Sequence, residues 1–345
     1  MYKKNVTMVA AIFQRNKLFL VLVVFLFLIT FFILTEPNPP QDESVELISL
    51  GIENSKIQQW WMRRNASKNL SKLGEILFLE AAEPAVKDSN KRYQILVWKY
   101  GPTIENRHLK QFSGQRMDSD IPVPYGRTVF RKDPAYLQVA QPMGKRKDVL
   151  VAVLGSNCGG QNHRWKYVSE LQKYLKVDIY GGCGTLKKQC PGHFGTDCPA
   201  INDYLFYLSF ENSNCDEYIT EKLWWNAYQK NSIPVVMGST QATYKKLLPP
   251  DSYINVDDYA SPQVLANYLL WLNETAEYTN YYRWKNYFEI RNEHGYFQSK
   301  SYHYCRICQA MNYNDKSMKV YNNLESFWST KKDCHPAWDE GQDEK

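Results

Sequence analysis

The sequence predicts an α/β protein built on a doubly wound parallel sheet, and three observations lead there. From Asp148 onward, short apolar runs of strand composition alternate with amphipathic stretches of helical period. The runs are apolar throughout rather than alternating, as in strands covered on both faces. Where a run ends, polar residues lead into the next helix, at Ser261-Pro262 with a good start signal.

Taken in chain order, a first strand is expected at RYQILVWK (Arg92–Lys99), followed by a poorly patterned stretch to about Lys147. DVLVAVLG (Asp148–Gly155) is a buried strand. RWKYVSELQKYLK (Arg164–Lys176) sets Trp165, Val168, Leu171 and Leu175 on one helical face. VDIYG and YLFYLSF are strands, TEKLWWNAYQKN is a helix, IPVVMG is a strand, and YINVDD follows. SPQVLANYLLWL opens with Ser261 as N-cap and Pro262 at the first helical position. No internal repeat is visible.

Charge excludes a nucleic-acid partner. The net charge is +6, but Lys3, Lys4, Arg15 and Lys17 supply four of the 42 bases before any acid occurs. The rest of the chain sets 38 bases against 36 acids, a nearly neutral body. The basic tail (1–17) abuts LFLVLVVFLFLITFFIL (Leu18–Leu34), long enough to cross a thin bilayer, with no small-residue cleavage site after it. Positive charge before the span and Glu36 after it predict a type II signal anchor with a luminal body. Residues 35–75 read as a polar stem. In that oxidising compartment all eight cysteines, Cys158, Cys183, Cys190, Cys198, Cys215, Cys305, Cys308 and Cys334, are disulfide candidates. Asn65, Asn69 and Asn273 head glycosylation sequons.

The stretch SFENSNCDEYITEKLWW (Ser209–Trp225) puts carboxylates and amides between a buried strand and a helix. In a doubly wound sheet that is where ligands bind. A helix N-terminus suits a phosphate, and Lys222 in the first turn opposes the helix dipole, so it reads either as a solvated lysine or as a second cation for a diphosphate. Glu221 is placed to accept from sugar hydroxyls. No P-loop and no Gly-x-Gly-x-x-Gly occurs, which sets aside ordinary ATPases and dinucleotide enzymes.

FENSNCDEYITEKLW followed by IPVVMG closely resembles the signature of the α1,3-fucosyltransferases, which use GDP-fucose. DSDIPVPYG (Asp118–Gly126), VLGSNCGG, YGGCGTL, LLPPDSYINVDDYASP, YYRWK and the CRIC pair resemble family segments in family order, from about Arg116 to Gln309. SNCGG, YGGCGTL and ENSNC are most similar to the subgroup acting on the core of glycoprotein N-glycans. The resemblance implies a GT-B architecture of two Rossmann-like domains, with GDP-fucose on the second. It implies donor-site roles for Arg164 and Lys222 at the diphosphate, Glu221 at the ribose, and Asn212 and Tyr218 along the pocket. It implies an inverting transfer to GlcNAc of an N-glycan in a Golgi membrane. No cofactor is required, Mn2+ or Mg2+ being at most stimulatory, and homo-oligomerisation is left open.

The resemblance also implies domain bounds: a first, acceptor-side domain at 76–141, a GDP-fucose-binding domain at 142–310 and a C-terminal extension at 311–345. The family sets a long segment, carrying the general base in an acidic-Ser-Pro motif, between its ILVWKYG-like strand and DSDIPVPYG. Only Pro102–Met117 stands there in this chain, and neither Glu-Ser-Pro nor Asp-Ser-Pro occurs. The first domain is therefore expected to be truncated and the catalytic base is unassigned, Glu105 being the nearest acid. The alternative reading is an inactive donor- or glycan-binding remnant.

Other features have plainer readings. Asp118-Ser-Asp120 matches a three-residue metal pattern that arises often by chance, and no metal site is expected. Asp257-Asp258 reads as a turn. The six histidines show no ligand spacing. Adjacent Trp224 and Trp225 cannot share a helix face, so one is expected in the core and the other part-buried.

Overall fold

The computed structural model describes residues 55–65, 70–84, 116–131, 142, 144–186, 190, 196–315, 317, 323 and 328–338, all within a compact unit that begins at Ser55. The tail and apolar span of residues 1–34, the strand expected at Arg92–Lys99, Glu105 and Asn69 lie outside the described residues. No helix among the described residues is long and apolar enough to cross a membrane.

The expected sheet is present. Strands β2 (Val151–Leu154), β3 (Val177–Tyr180), β4 (Phe206–Phe210), β5 (Ile233–Met237) and β6 (Ile254–Asn255) form one sheet in the order β3-β2-β4-β5-β6. Every pairing in it is parallel. The side-chain period of two sends alternate residues to opposite faces. Val151, Val153, Phe206 and Leu208 pack with Val168, Leu171, Leu265 and Leu269 on one face. Ala152, Tyr204 and Tyr207 pack with Ile201 and Ala227 on the other. Both faces are thus covered, which is why the strands read as continuous apolar runs.

The helices are α3 (Arg164–Leu171), α4 (Glu221–Leu223, widening into a π-helical turn over Trp224–Gln229), α5 (Gln241–Leu247) and α6 (Pro262–Thr275). Ser261 caps α6, its Oγ accepting the Val264 N–H at 3.3 Å, with Pro262 in the first turn as expected. Helix α3 stops five residues short of its expected end, because the chain reverses to reach β3. There Gln172 Nε2 donates to the Val177 carbonyl at 3.0 Å.

A second, two-stranded sheet pairs β1 (Gly126–Phe130) antiparallel with β7 (Phe288–Asn292). Helix α1 (Ser55–Asn65) lies against it, which corrects the expectation that residues 35–75 form a polar stem throughout. Ile57, Trp60 and Arg64 fall on one helical stripe and are buried. Trp60 meets Phe130 and Phe288 at ring-centre distances of 5.5 and 4.8 Å. Helix α2 (Lys72–Gly74, running on as a π-helical turn Glu75–Leu79) buries Leu73, Leu77 and Phe78 against Met117 and Ala310, the latter on α7 (His303–Tyr313). Trp224 is 2% exposed and Trp225 part-buried, as adjacency requires. A Cβ on Gly126 would lie 2.5 Å from the Trp224 ring, so β1 approaches that helix only as glycine.

Six of the eight cysteines pair, as Cys158–Cys183, Cys190–Cys198 and Cys215–Cys334. Cys305 and Cys308 do not, which corrects their place among the candidates; both are exposed thiols on α7. Residues three apart on a regular helix hold their Cβ atoms about 5–6 Å apart, beyond the roughly 3.5–4.5 Å a disulfide needs. Asn273 is part-buried near the end of α6, and Asn65 ends α1.

Candidate functional site

The strand order reverses between β2 and β4: the crossover through α3 leads outward to β3, and the chain then returns across β2 to β4. That switch point opens a crevice at the carboxyl ends of β2 and β4. The segment after β4, Glu211–Thr220, and the segment after β2, Gly155–His163, meet there. Gln161 N–H donates to the Asn212 carbonyl at 2.8 Å, and Asn162 Nδ2 donates to the Glu211 carbonyl and to Asn214 Oδ1, both at 2.9 Å.

All five sequence-expected donor-site residues stand at this crevice. Tyr218 hydroxyl donates to Asn212 Oδ1 at 3.0 Å. Glu221 opens α4, buried, and Lys222 follows it. The Lys222 ammonium donates to Glu211 Oε2 and Thr220 Oγ1, both at 2.9 Å, and lies 3.5 Å from Glu221 Oε1. Arg164 is 5% exposed; its two terminal nitrogens donate to the carbonyls of Phe210 (2.9 Å) and Asn157 (2.7 Å), and its buried Nε has no acceptor among the described residues. Arg164 therefore pins the end of β4 to the loop after β2, with two of its five N–H donors engaged by those carbonyls.

The electrostatics follow from burial and from these partners. Burial by itself lowers an ammonium, but Glu211 and Glu221 together hold Lys222 well above the ordinary lysine value, so it stays charged. Burial raises Glu221, yet Lys222, a backbone N–H and nearby His294 bring it below the usual carboxylate value. Burial raises Glu211 against the pull of Lys222. Desolvation lowers Arg164, with Glu211 and Tyr218 opposing. Two carboxylates and a fixed ammonium at a helix start can hold a sugar's hydroxyls and an incoming anion side by side.

Sequence reasoning passed over the residue that organises this cluster. Glu211, 2% exposed, accepts from the Thr220 N–H and hydroxyl at 2.8 Å as well as from Lys222, tying β4 to α4. Its signal was present: an acid directly after a fully buried strand. Gly238, at the end of β5, has φ +137, and a Cβ there would lie 2.5 Å from Glu211 Cβ. Tyr125, just before β1, and His294, just after β7, face the site; Glu221 is the leading charge that raises the Tyr125 hydroxyl beyond the effect of burial. Asp118 of the three-residue metal pattern is paired to Arg116 at 2.8 Å.

Beside the cluster, at the carboxyl ends of β5 and β6, lies a cleft of about 820 Å3. Tyr167, Asn214, Gly238, Ser239, Asp257 and Trp338 are among its walls, and none of the five expected residues is. Asp257 and Asp258, read as a turn, do form one after β6, and they also edge this cleft. The far wall comes from the region expected to be an extension. The Cys215–Cys334 disulfide pins it, with His335 N–H donating to the Asn214 carbonyl at 2.7 Å and Trp338 Nε1 to the His163 carbonyl at 3.3 Å.

The family model for glycosyltransferase family 10 (fucosyltransferase), C-terminal part, matches residues 144–328, which include the whole parallel sheet. The chain is 40% identical over 220 residues to the glycoprotein 3-alpha-L-fucosyltransferase A of Drosophila melanogaster, covering 62% of this chain and 42% of that protein. It is 34% identical over 249 residues to the alpha-(1,3)-fucosyltransferase 7 of Rattus norvegicus, covering 70% and 63%. The chain thus spans only part of the length of the curated relatives it matches. A solved α1,3-fucosyltransferase with GDP-fucose aligns with 53% of this chain and 51% of its own at 21% identity and a TM-score of 0.38, a likeness that places no residue.

Proposed function

Since the chain belongs to glycosyltransferase family 10, the fucosyltransferases, we propose that it binds GDP-fucose and transfers L-fucose in α1,3 linkage to GlcNAc of glycoprotein N-glycans. The observation that carries this reading is the Glu211–Thr220–Glu221–Lys222 cluster at the switch point of the family-matched sheet. In the proposed pose the diphosphate lies at the start of α4 within reach of Lys222, with Arg164 as the second cation beside it. Glu221 takes the ribose hydroxyls, and Asn212 and Tyr218 line the pocket. The neighbouring cleft has the volume of a small-ligand pocket and is offered as the seat of the guanine base.

The chemistry asked of these residues is stabilisation of a leaving group. As the acceptor oxygen bonds to the anomeric carbon from the face opposite GDP, the bond to the β-phosphate oxygen breaks and its electron pair leaves with GDP. A preorganised ammonium and a helix start meet that growing charge without reorganising, and no metal is required for it. The acceptor's proton passes to a base that we assign to no side chain of this chain. A second, acceptor-side domain completing a GT-B pair, a Golgi type II anchor and the core subgroup's acceptor preference belong to the same proposal.

The test incubates the purified protein with GDP-fucose and a GlcNAc-terminated core glycopeptide, and follows product by mass spectrometry. Fucosylated glycopeptide is expected. GDP binding without any product across pH and Mn2+ conditions would instead support the donor-binding remnant, for which the short span between Lys99 and Asp118 speaks.

A further inference from the structure

Arg64, Arg127 and Arg306 have fully buried side chains, and the carboxylates around them serve two of the three. Arg127 donates to Glu293 at 2.7 Å, to Glu83 at 2.5 Å, and to the carbonyls of Leu77 and Ala82. Arg306 donates to the two oxygens of the same Glu293 at 2.5 and 3.2 Å. Arg64, on α1, has no acceptor among the described residues within hydrogen-bond distance of any of its three guanidinium nitrogens.

A guanidinium carries five N–H donors and stays protonated in proteins. The Trp60 ring centroid lies 4.3 Å from the Arg64 Cζ, a cation–π contact that supplies no lone-pair acceptor for those donors. Burial, with the charge of Arg127 adding to it, pushes Arg64 down to about 9, the direction expected of a cation that no anion offsets. A buried charge left in this state is among the most destabilising features a fold can carry.

Arg64 borders a small cavity of about 20 Å3, with Gly126, Arg127, Glu217, Trp224 and Leu247 among its other walls. Glu217 does not serve Arg64. Its Oε2 accepts the Met117 N–H at 2.6 Å and its Oε1 lies 3.8 Å from Lys246. The cavity has room for a body the size of one water molecule. Carboxylates, phosphates and nucleotides are too large for it; a monatomic anion is not.

We propose that this cavity is a halide site, in which chloride accepts from the Arg64 guanidinium and fastens α1 to β1 and to the helical run that begins at Glu221. The site is separate from the switch-point cluster, and it stands or falls independently of glycosyl transfer.

Two measurements on the full chain test it. In crystals soaked in bromide, an anomalous peak beside Arg64 is expected; water density alone, bridging Arg64 to Glu217, overturns the proposal. In thermal unfolding, replacing gluconate by chloride at constant ionic strength is expected to raise the melting temperature by on the order of a few degrees. Arg64→Met is expected to abolish that response, and an equal response in both proteins overturns the site. Should Arg64→Met not fold, the wild-type bromide map decides alone.

Discussion

Replacing Lys222 by alanine removes the cation hydrogen-bonded to Glu211, whose side chain is 3% exposed, while that of Lys222 is 18% exposed. Of the Lys222 contacts, two are to carboxylates, at 2.9 and 3.5 Å, and one is to the Thr220 hydroxyl. Breaking a buried pair from one side strands a charge, at a cost of about 3–5 kcal/mol. Glu211 keeps its two bonds from Thr220, so the lower end, about 3 kcal/mol, is expected. Replacing both partners, as Glu211→Gln with Lys222→Met, removes the Glu211 charge and leaves only Glu221 without its cation, so it should recover part of that loss. Urea unfolding of the wild type, Glu211→Gln, Lys222→Met and the double variant measures the coupling directly. Additive losses, or a Lys222→Ala variant within about 0.5 kcal/mol of wild type, would refute the buried pair as described.

Four further outcomes are expected. Lys222→Ala should also weaken GDP binding by about 1.5–3 kcal/mol, as for a lost charged hydrogen bond, measured by calorimetry on the folded variant. Gly238→Ala forces a Cβ onto Glu211 at φ +137 and should cost on the order of 2 kcal/mol in unfolding experiments, with GDP affinity falling alongside. Removing the Cys215–Cys334 bridge by paired serine substitution frees a loop of 119 residues and should lower stability by about 4–5 kcal/mol under oxidising conditions. Burial, with Lys285 acting further on Lys145, holds Lys145 and Lys285 down to about 8 from 10.5. Between those values the unfolded chain binds more protons, so their contribution makes stability rise with pH from about 8 to 10.5. Lys285→Met should flatten that rise in a pH series of melting curves with Cys305 and Cys308 blocked.

What the sequence made legible was whatever depends on pattern. Apolar runs such as FYLSF and IPVVM are strands because both faces of the sheet are covered, and Ser261-Pro262 starts a helix because local chemistry suffices there. The polar stretch after β4 stood out for the same reason, and its residues do gather at the switch point. What stayed hidden depends on partners distant in sequence. Glu211 is one acid among several until β4, Thr220, Lys222 and Gly238 surround it. Residues 333–338 read as tail until the cleft loops hold them. Trp60 and Arg64 read as stem because their partners on β1 and β7 lie about 65 to 230 residues away. Cys305 and Cys308 show the converse: an oxidising compartment made every cysteine a candidate, yet these two stand as exposed free thiols on α7.

The central claim is that the cluster at the carboxyl ends of β2 and β4 is a guanosine-diphosphate site. Titrating the purified full chain with GDP in a calorimeter, without added metal, tests it most directly. The account predicts saturable binding with one GDP per chain, weakened in Lys222→Ala. No detectable binding by a wild-type protein that still unfolds cooperatively would contradict it.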